Sequence, residues 1–214
     1  REYTVQAGLI GFDLAAEGPF KTGASSYLIN YRYSFTGLLS DLGVPLGDED
    51  IRFQDLSFKL NFPGTKGNSL QVFGLLGTSS NDFVQPTDTT EWESEKDLYN
   101  TIDFDSEMAT LGFSWQQPQR DKGLWQLSGA WSGIRNNRLA LADDLPTREY
   151  DNLEQEKTSL RLSYRRKLLP FGSVTFGVEG LYLDQKVARE FPLGGEGIPG
   201  RVSEGIVLSP YLDW

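Results

Sequence analysis

Large apolar and polar side chains alternate along most of this chain. In "YLINYRYSFTG", residues 27–37, Tyr27, Ile29, Tyr31, Tyr33 and Phe35 fall on one parity, and Leu28, Asn30, Arg32, Ser34 and Thr36 on the other. Period two sends successive side chains to opposite faces, so it predicts a β-strand. The alternation returns in "FQDLSFKLNF", where Leu56, Phe58, Leu60 and Phe62 oppose Asp55, Ser57, Lys59 and Asn61. It returns in "EMATLGFSWQQ" (Ala109, Leu111, Phe113 and Trp115 against Thr110, Ser114 and Gln116) and in "LWQLSGAWSG" (Trp125, Leu127 and Trp131 against Gln126, Ser128 and Ser132). "KTSLRLSYRRKL" sets Leu160, Leu162 and Tyr164 against Arg161, Ser163 and Arg165; "SVTFGVEGLYL" sets Val174, Phe176, Val178 and Tyr182 against Thr175 and Glu179. "SLQVFGLLG" is apolar on both parities, and Pro210 within "GIVLSPYLDW" weakens that run as a central strand. No helical period competes.

The connections alternate in length. "PGTKGN", "QPQRDKG" and "LLPFG" are tight turns rich in Gly and Pro, whereas 38–50, 79–106, 135–156 and 185–204 read as loops of roughly 13 to 28 residues. Short turns at one end and long loops at the other are the habit of outer-membrane barrels. The first stretch, "EYTVQAGLIGFDLAAEGPF", is about twice the ~10 residues of a membrane strand. Dividing it near Gly8–Gly11 puts both chain ends on the short-turn side; one long bent strand is the alternative. Ten strands result, at about 3–9, 11–18, 26–37, 52–62, 69–79, 107–117, 124–134, 157–168, 173–184 and 204–214.

Composition bears on which face is wet. Only 38% of the 214 residues are hydrophobic, yet there are 13 Phe, 9 Tyr and 5 Trp, which suits one thin apolar skin better than a large dry core. Side chains as bulky as Trp115, Trp125 and Trp131 overfill a small barrel interior. They suit a lipid-facing surface, with Tyr and Trp near the interfaces. Arg166 is on the apolar parity but lies four residues before Pro170, so its head can reach the interface. The expectation is an all-β, antiparallel transmembrane β-barrel of about ten strands, forming one segment over 1–214. A soluble antiparallel sheet protein that binds carbohydrate is the alternative of another class. No apolar run approaches the ~20 residues of a membrane helix. Arg1 follows no signal peptide, which reads as a processed or excised segment.

The net charge of −10 leaves no basic stripe for nucleic acid. The chain has no His and no Cys, which removes triad hydrolases, thiolate chemistry and the usual zinc sites. No catalytic residue, cofactor or metal site is assigned, and the chain is not expected to be an enzyme.

"REYTVQAGLIGFDLAAEGPF", "SSYLINYRYSFTGLLSDLG" and "IRFQDLSFKLNFPGTKGNSLQVFGLLG" resemble the opening of the barrel in TonB-dependent receptors. The similarity is to the Bacteroidota type with a carboxypeptidase-regulatory-like N-terminal extension. The "EGPF" turn followed by "SYLINYRYS" is its most specific element. The resemblance is good over 1–77 and mainly rhythmic over 107–214. It implies import of a scarce nutrient or chelate across the bacterial outer membrane, with a plug domain ahead of a barrel of about twenty-two strands. Such a protein has outer-membrane lipid, the rest of the barrel, the plug, TonB and in some cases a surface lipoprotein as partners. The chain departs from that pattern in lacking the plug and ending after about ten strands, so it is expected to be the first part of the barrel. A complete ten-strand barrel serving as a channel or adhesin stays open, because "SPYLDW" ends on an aromatic residue as such barrels often do.

The lumen- or plug-facing set is Asn30, Arg32, Ser34, Asp55, Ser57, Lys59, Asn61, Arg161 and Arg165, whose polar rows stabilise the wall or meet plug or solute. The lipid-facing set is Tyr31, Tyr33, Phe35, Phe58, Phe62, Phe113, Trp115, Trp125, Trp131, Tyr164 and Phe176. The acidic stretch "TDTTEWESEKDLYNTIDFDSE" reads as a solvated loop or as a ligand-capture loop with Trp92 and Tyr99 as stacking groups. It lacks calcium-loop spacing. "GGEGIPG" reads as a loop tip, and Asp143–Asp144 gives no support for a catalytic pair.

Overall fold

The computed structural model describes residues 1–8, 11–20, 24–35, 49–91, 95–120, 122–142, 147–168, 172–190 and 198–213. Ten strands account for nearly all of them: β1 (Glu2–Gly8), β2 (Gly11–Pro19), β3 (Ser26–Phe35), β4 (Glu49–Pro63), β5 (Ser69–Val84), β6 (Thr101–Pro118), β7 (Gly123–Ala142), β8 (Thr147–Leu168), β9 (Gly172–Glu190) and β10 (Ile198–Asp213). They form a single antiparallel sheet in chain order, each strand paired with the next. Among the described residues β1 pairs only with β2 and β10 only with β9, so the sheet is not closed and has two free edges. Pro210, which donates no ladder hydrogen bond, lies on one of those edges. Among the described residues no helix is long and apolar enough to cross a membrane.

The division of the first stretch stands. Gly8 pairs with Gly11, and Val5 with Leu14. In the turn after β4, the Gly64 amide donates to the Asn68 carbonyl at 2.7 Å, and Gly67 takes φ +75°, which a side chain would strain.

The long connections are shorter than the alternation suggests. β7 continues to Ala142 and β8 begins at Thr147, so most of 135–156 is paired strand. β9 likewise runs to Glu190, and Ile198–Gly200 of "GGEGIPG" already belong to β10. Beyond the apolar runs polar and apolar side chains mix on both faces, so the period disappears while the backbone ladder continues. Asp143, Asp144, residues 194–197 and Trp214 lie outside the described residues.

Cross-strand register sorts the side chains into two faces, because directly paired residues point the same way. One row reads Ile29, Phe58, Gly74, Leu111, Trp131, Thr158, Tyr182, Ile206. The next row toward the short turns reads Tyr27, Leu60, Val72, Phe113, Gly129, Leu160, Gly180, Leu208. Bulk alternates with glycine along these rows: a Cβ at Gly129 would meet the Phe113 ring at 2.7 Å, and Phe58 covers Gly74. The register also resolves "SLQVFGLLG", with Leu70, Val72 and Leu76 on this apolar face and Gln71, Phe73 and Leu75 on the other.

The apolar band crosses the rows obliquely. In β3 it extends up to Tyr33, but in β8, β9 and β10 it stops below Glu156, Asp184 and Glu204, which sit one row nearer the short turns. Among the described residues the apolar face carries no covering layer, and the polar face is covered only at its long-loop end. Phe83 and Ala140 are the buried hydrophobic residues, whereas Leu111 is 46%, Leu160 51% and Leu208 71% exposed.

Candidate functional site: the polar face and the loop packed on it

All nine residues of the polar set share one face. The register aligns Asp13, Arg32 and Asp55 in one row, Asn30 with Ser57 in the next, and Lys59 and then Asn61 below. Arg32 Nε donates to Asp55 Oδ2 at 2.8 Å, Nη2 approaches the same oxygen at 2.7 Å, and the guanidinium lies over the Phe53 ring. Asn30 Nδ2 donates to Asp13 Oδ1 at 2.6 Å. Arg161 Nε donates to the Tyr211 hydroxyl at 2.9 Å, and Arg165 Nε to Thr175 Oγ1 at 3.3 Å. Ser34 is buried, with its Oγ unpartnered. Chemically the described part of this face offers rows of hydrogen-bonding and ionic groups, with Phe73, Leu75 and Met108 among them.

At the long-loop end the same face carries a cluster hidden from sequence reading. Arg138, Asp151 and Arg189 are aligned across β7, β8 and β9, with Arg189 bonded to Asp151. Arg138 Nη1 donates to Glu149 Oε2 at 2.9 Å. These residues lie within segments read as loops from sequence, so no strand parity was assigned to them.

The segment between β5 and β6 packs on this cluster. It contains two short 3-10 turns, Thr89–Glu91 and Glu95–Leu98. The Gln85 amide donates to the Asn100 carbonyl at 3.0 Å, the Asn100 amide to the Leu141 carbonyl at 2.7 Å, and Gln85 Nε2 to the Asp97 carbonyl at 2.6 Å. Lys96 lies over the ring of buried Phe83. Tyr99 donates its hydroxyl to Glu149 Oε1 at 2.7 Å, and Arg138 lies near its ring. The Tyr99 hydroxyl is the main reason the Glu149 carboxyl is held below its usual value; partial burial opposes this and Arg138 assists. Asp88 is lowered in turn by the Thr90 amide and hydroxyl. Tyr99, expected as a stacking group, is therefore joined to the sheet, and Trp92 lies outside the described residues. The described residues contain no group of three carboxylates placed to hold a metal ion.

The eleven aromatic residues expected on the other face share it by register, Phe35 through its pairing with Arg52. Trp125, Tyr164 and Phe176 form a run of ring contacts at 4.8 and 5.4 Å. Arg166 pairs with Gly123 at the start of β7, just outside the apolar band. At the opposite border a row reads Gln54, Thr78, Glu107, Arg135, Glu154, Lys186. Arg135 and Lys186 flank Glu154 at 3.2 and 3.7 Å. Sequence reasoning missed this rim. Its signal was a charge on the apolar parity one or two steps beyond each apolar run.

No protein-family model matches the chain, and no curated protein matches it.

Proposed function

We infer that the chain is a barrel segment of a bacterial outer-membrane transport protein, the first part of the barrel of a TonB-dependent receptor that imports a scarce nutrient or chelate. The observation that carries this reading is the uncovered apolar band. The apolar face leaves Leu111, Trp131, Leu160, Phe176 and Leu208 exposed across five strands, and an apolar surface of that extent marks a face that meets a membrane or a partner. Its polar border and its oblique course suit tilted strands crossing a hydrocarbon slab. The polar face then lines the aqueous side, where the rest of the barrel, a plug, TonB-linked motion and a surface lipoprotein would act. The resemblance of residues 1–77 to the opening of such barrels supports the choice of family.

The free edges favour further strands over a complete ten-strand barrel, since an unpaired edge in lipid leaves backbone groups without partners. Cysteine pairs placed on β1 (Tyr3, Val5) and β10 (Ile206, Leu208) test this in outer membranes. The receptor reading expects no β1–β10 cross-link within one chain. An efficient intrachain cross-link identifies the small closed barrel, a channel or adhesin. Recovery of the chain as a monodisperse species in plain buffer identifies the soluble sheet instead.

A further inference from the structure

Two clefts adjoin on the apolar-parity face where the band meets its charged rim. The lower, about 430 Å³, lies over Leu76, Ala109 and Gly133 beside Trp131. Ala109 and Gly133 are register partners; the Trp131 ring lies over Gly133, so the space opens over Leu76 and the small Ala109 beside that ring. The upper, about 450 Å³, is lined on that face by Tyr33, Gln54, Thr78, Ser80 and Asn137 among others. Thr78, Glu107 and Arg135 line both clefts. The lower cleft is mainly apolar; the upper offers hydroxyls, amides and charged groups. One elongated molecule with a greasy end and a hydrogen-bonding end fits the pair.

Charge selects the head. Arg52 and Arg135 meet Asp105, Glu107, Glu154 and Glu156 around the two clefts, two guanidiniums against four carboxylates. Arg135 is moreover engaged with Glu154. A phosphate would enter a negative field, whereas sugar hydroxyls donate to carboxylates and accept from guanidiniums and amides. We propose that this rim over β4–β8 binds a neutral sugar-headed amphiphile, one acyl chain lying on Leu76 and Ala109 beside Trp131 and the glycosyl head on Gln54, Thr78, Glu107 and Arg135. The site rests on the membrane reading, because the acyl chain must arrive from a bilayer.

The test reconstitutes the protein together with the remaining strands that complete its barrel in phosphatidylcholine nanodiscs doped with monoglucosyl diacylglycerol or with phosphatidylglycerol, and reads retained lipid by native mass spectrometry. The glucolipid is expected to be retained in preference to the anionic lipid. Ala109→Leu, which fills the space beside Trp131, and Glu107→Gln with Arg135→Gln, which strip the head contacts, each lower retention about tenfold. Thr110→Ser on the opposite face leaves it unchanged. Equal retention of both lipids, preference for the anionic one, or indifference to all the rim variants overturns the site while leaving the barrel intact. Failure of the unsubstituted protein to enter nanodiscs overturns the membrane reading and the site together.

Discussion

Arg32 and Asp55 face each other across β3 and β4, joined at 2.7 and 2.8 Å on the polar side of the sheet, while the next register pair, Tyr31 and Leu56, points the opposite way. A single residue step thus separates an ion pair from an apolar contact. Arg32 is about half exposed in its side chain, so solvent screens the pair. Asp55→Ala and Arg32→Ala are each expected to cost about 1 kcal/mol or less, with a coupling of similar size in a double-mutant cycle. Denaturant unfolding of lipid-reconstituted protein measures it.

Neighbouring positions on one strand give a sharper contrast. Leu111 belongs to the apolar band and Thr110 to the polar face. Leu111→Arg is expected to destabilise the reconstituted protein by about 2–4 kcal/mol, the cost of a cation at mid-bilayer, and Thr110→Arg by far less. Comparison of their unfolding midpoints checks it; equal costs would contradict the assignment of faces.

The Tyr99–Glu149 contact makes the β5–β6 segment sensitive to acid. Because the folded carboxyl titrates below its usual 4.5, the contact contributes stability above that value. The contribution declines as pH falls through the depressed folded value, when Glu149 takes up a proton. Hydrogen exchange at the Asn100 amide, which donates to Leu141, is expected to accelerate across this acid window. Tyr99→Phe should give fast exchange at neutral pH and flatten the pH response.

Glycine on the apolar face makes room for aromatic rings. At Gly129 a larger side chain would push into Phe113. Gly129→Leu is expected to cost about 1–3 kcal/mol, and pairing it with Phe113→Ala should recover part of that loss. Thermal unfolding of the single and double variants reads the recovery.

The short-turn ends of the strands were legible in the sequence to within about two residues, because Gly and Pro punctuate the chain where the apolar period stops. The long-loop ends were not. "IRNNRLALA" and "TREYDNLEQE" carry no clean alternation, yet they pair residue for residue, Asn137 with Asn152 and Arg138 with Asp151. Pairing there depends on partner strands rather than on a one-sided apolar face. The nine polar and eleven apolar residues were assignable to common faces because each sits in a clean run. The Arg138–Glu149–Tyr99 cluster was not, since Tyr99 and Glu149 are fifty residues apart in the chain and come together only once the strands are aligned. The Glu107–Arg135–Glu154–Lys186 rim becomes visible only when three registers are known together.

The most direct test uses the absence of cysteine from the chain. Single cysteines introduced at each residue from Met108 to Trp115 of β6 accept nitroxide labels, whose collision rates with oxygen and with a water-soluble nickel chelate report lipid and aqueous exposure in bilayers. Labels at 109, 111, 113 and 115 are predicted to be oxygen-accessible and those at 108, 110, 112 and 114 chelate-accessible, in strict alternation. Uniform chelate access at all eight positions, or alternation of the opposite phase, would contradict an apolar band immersed in lipid.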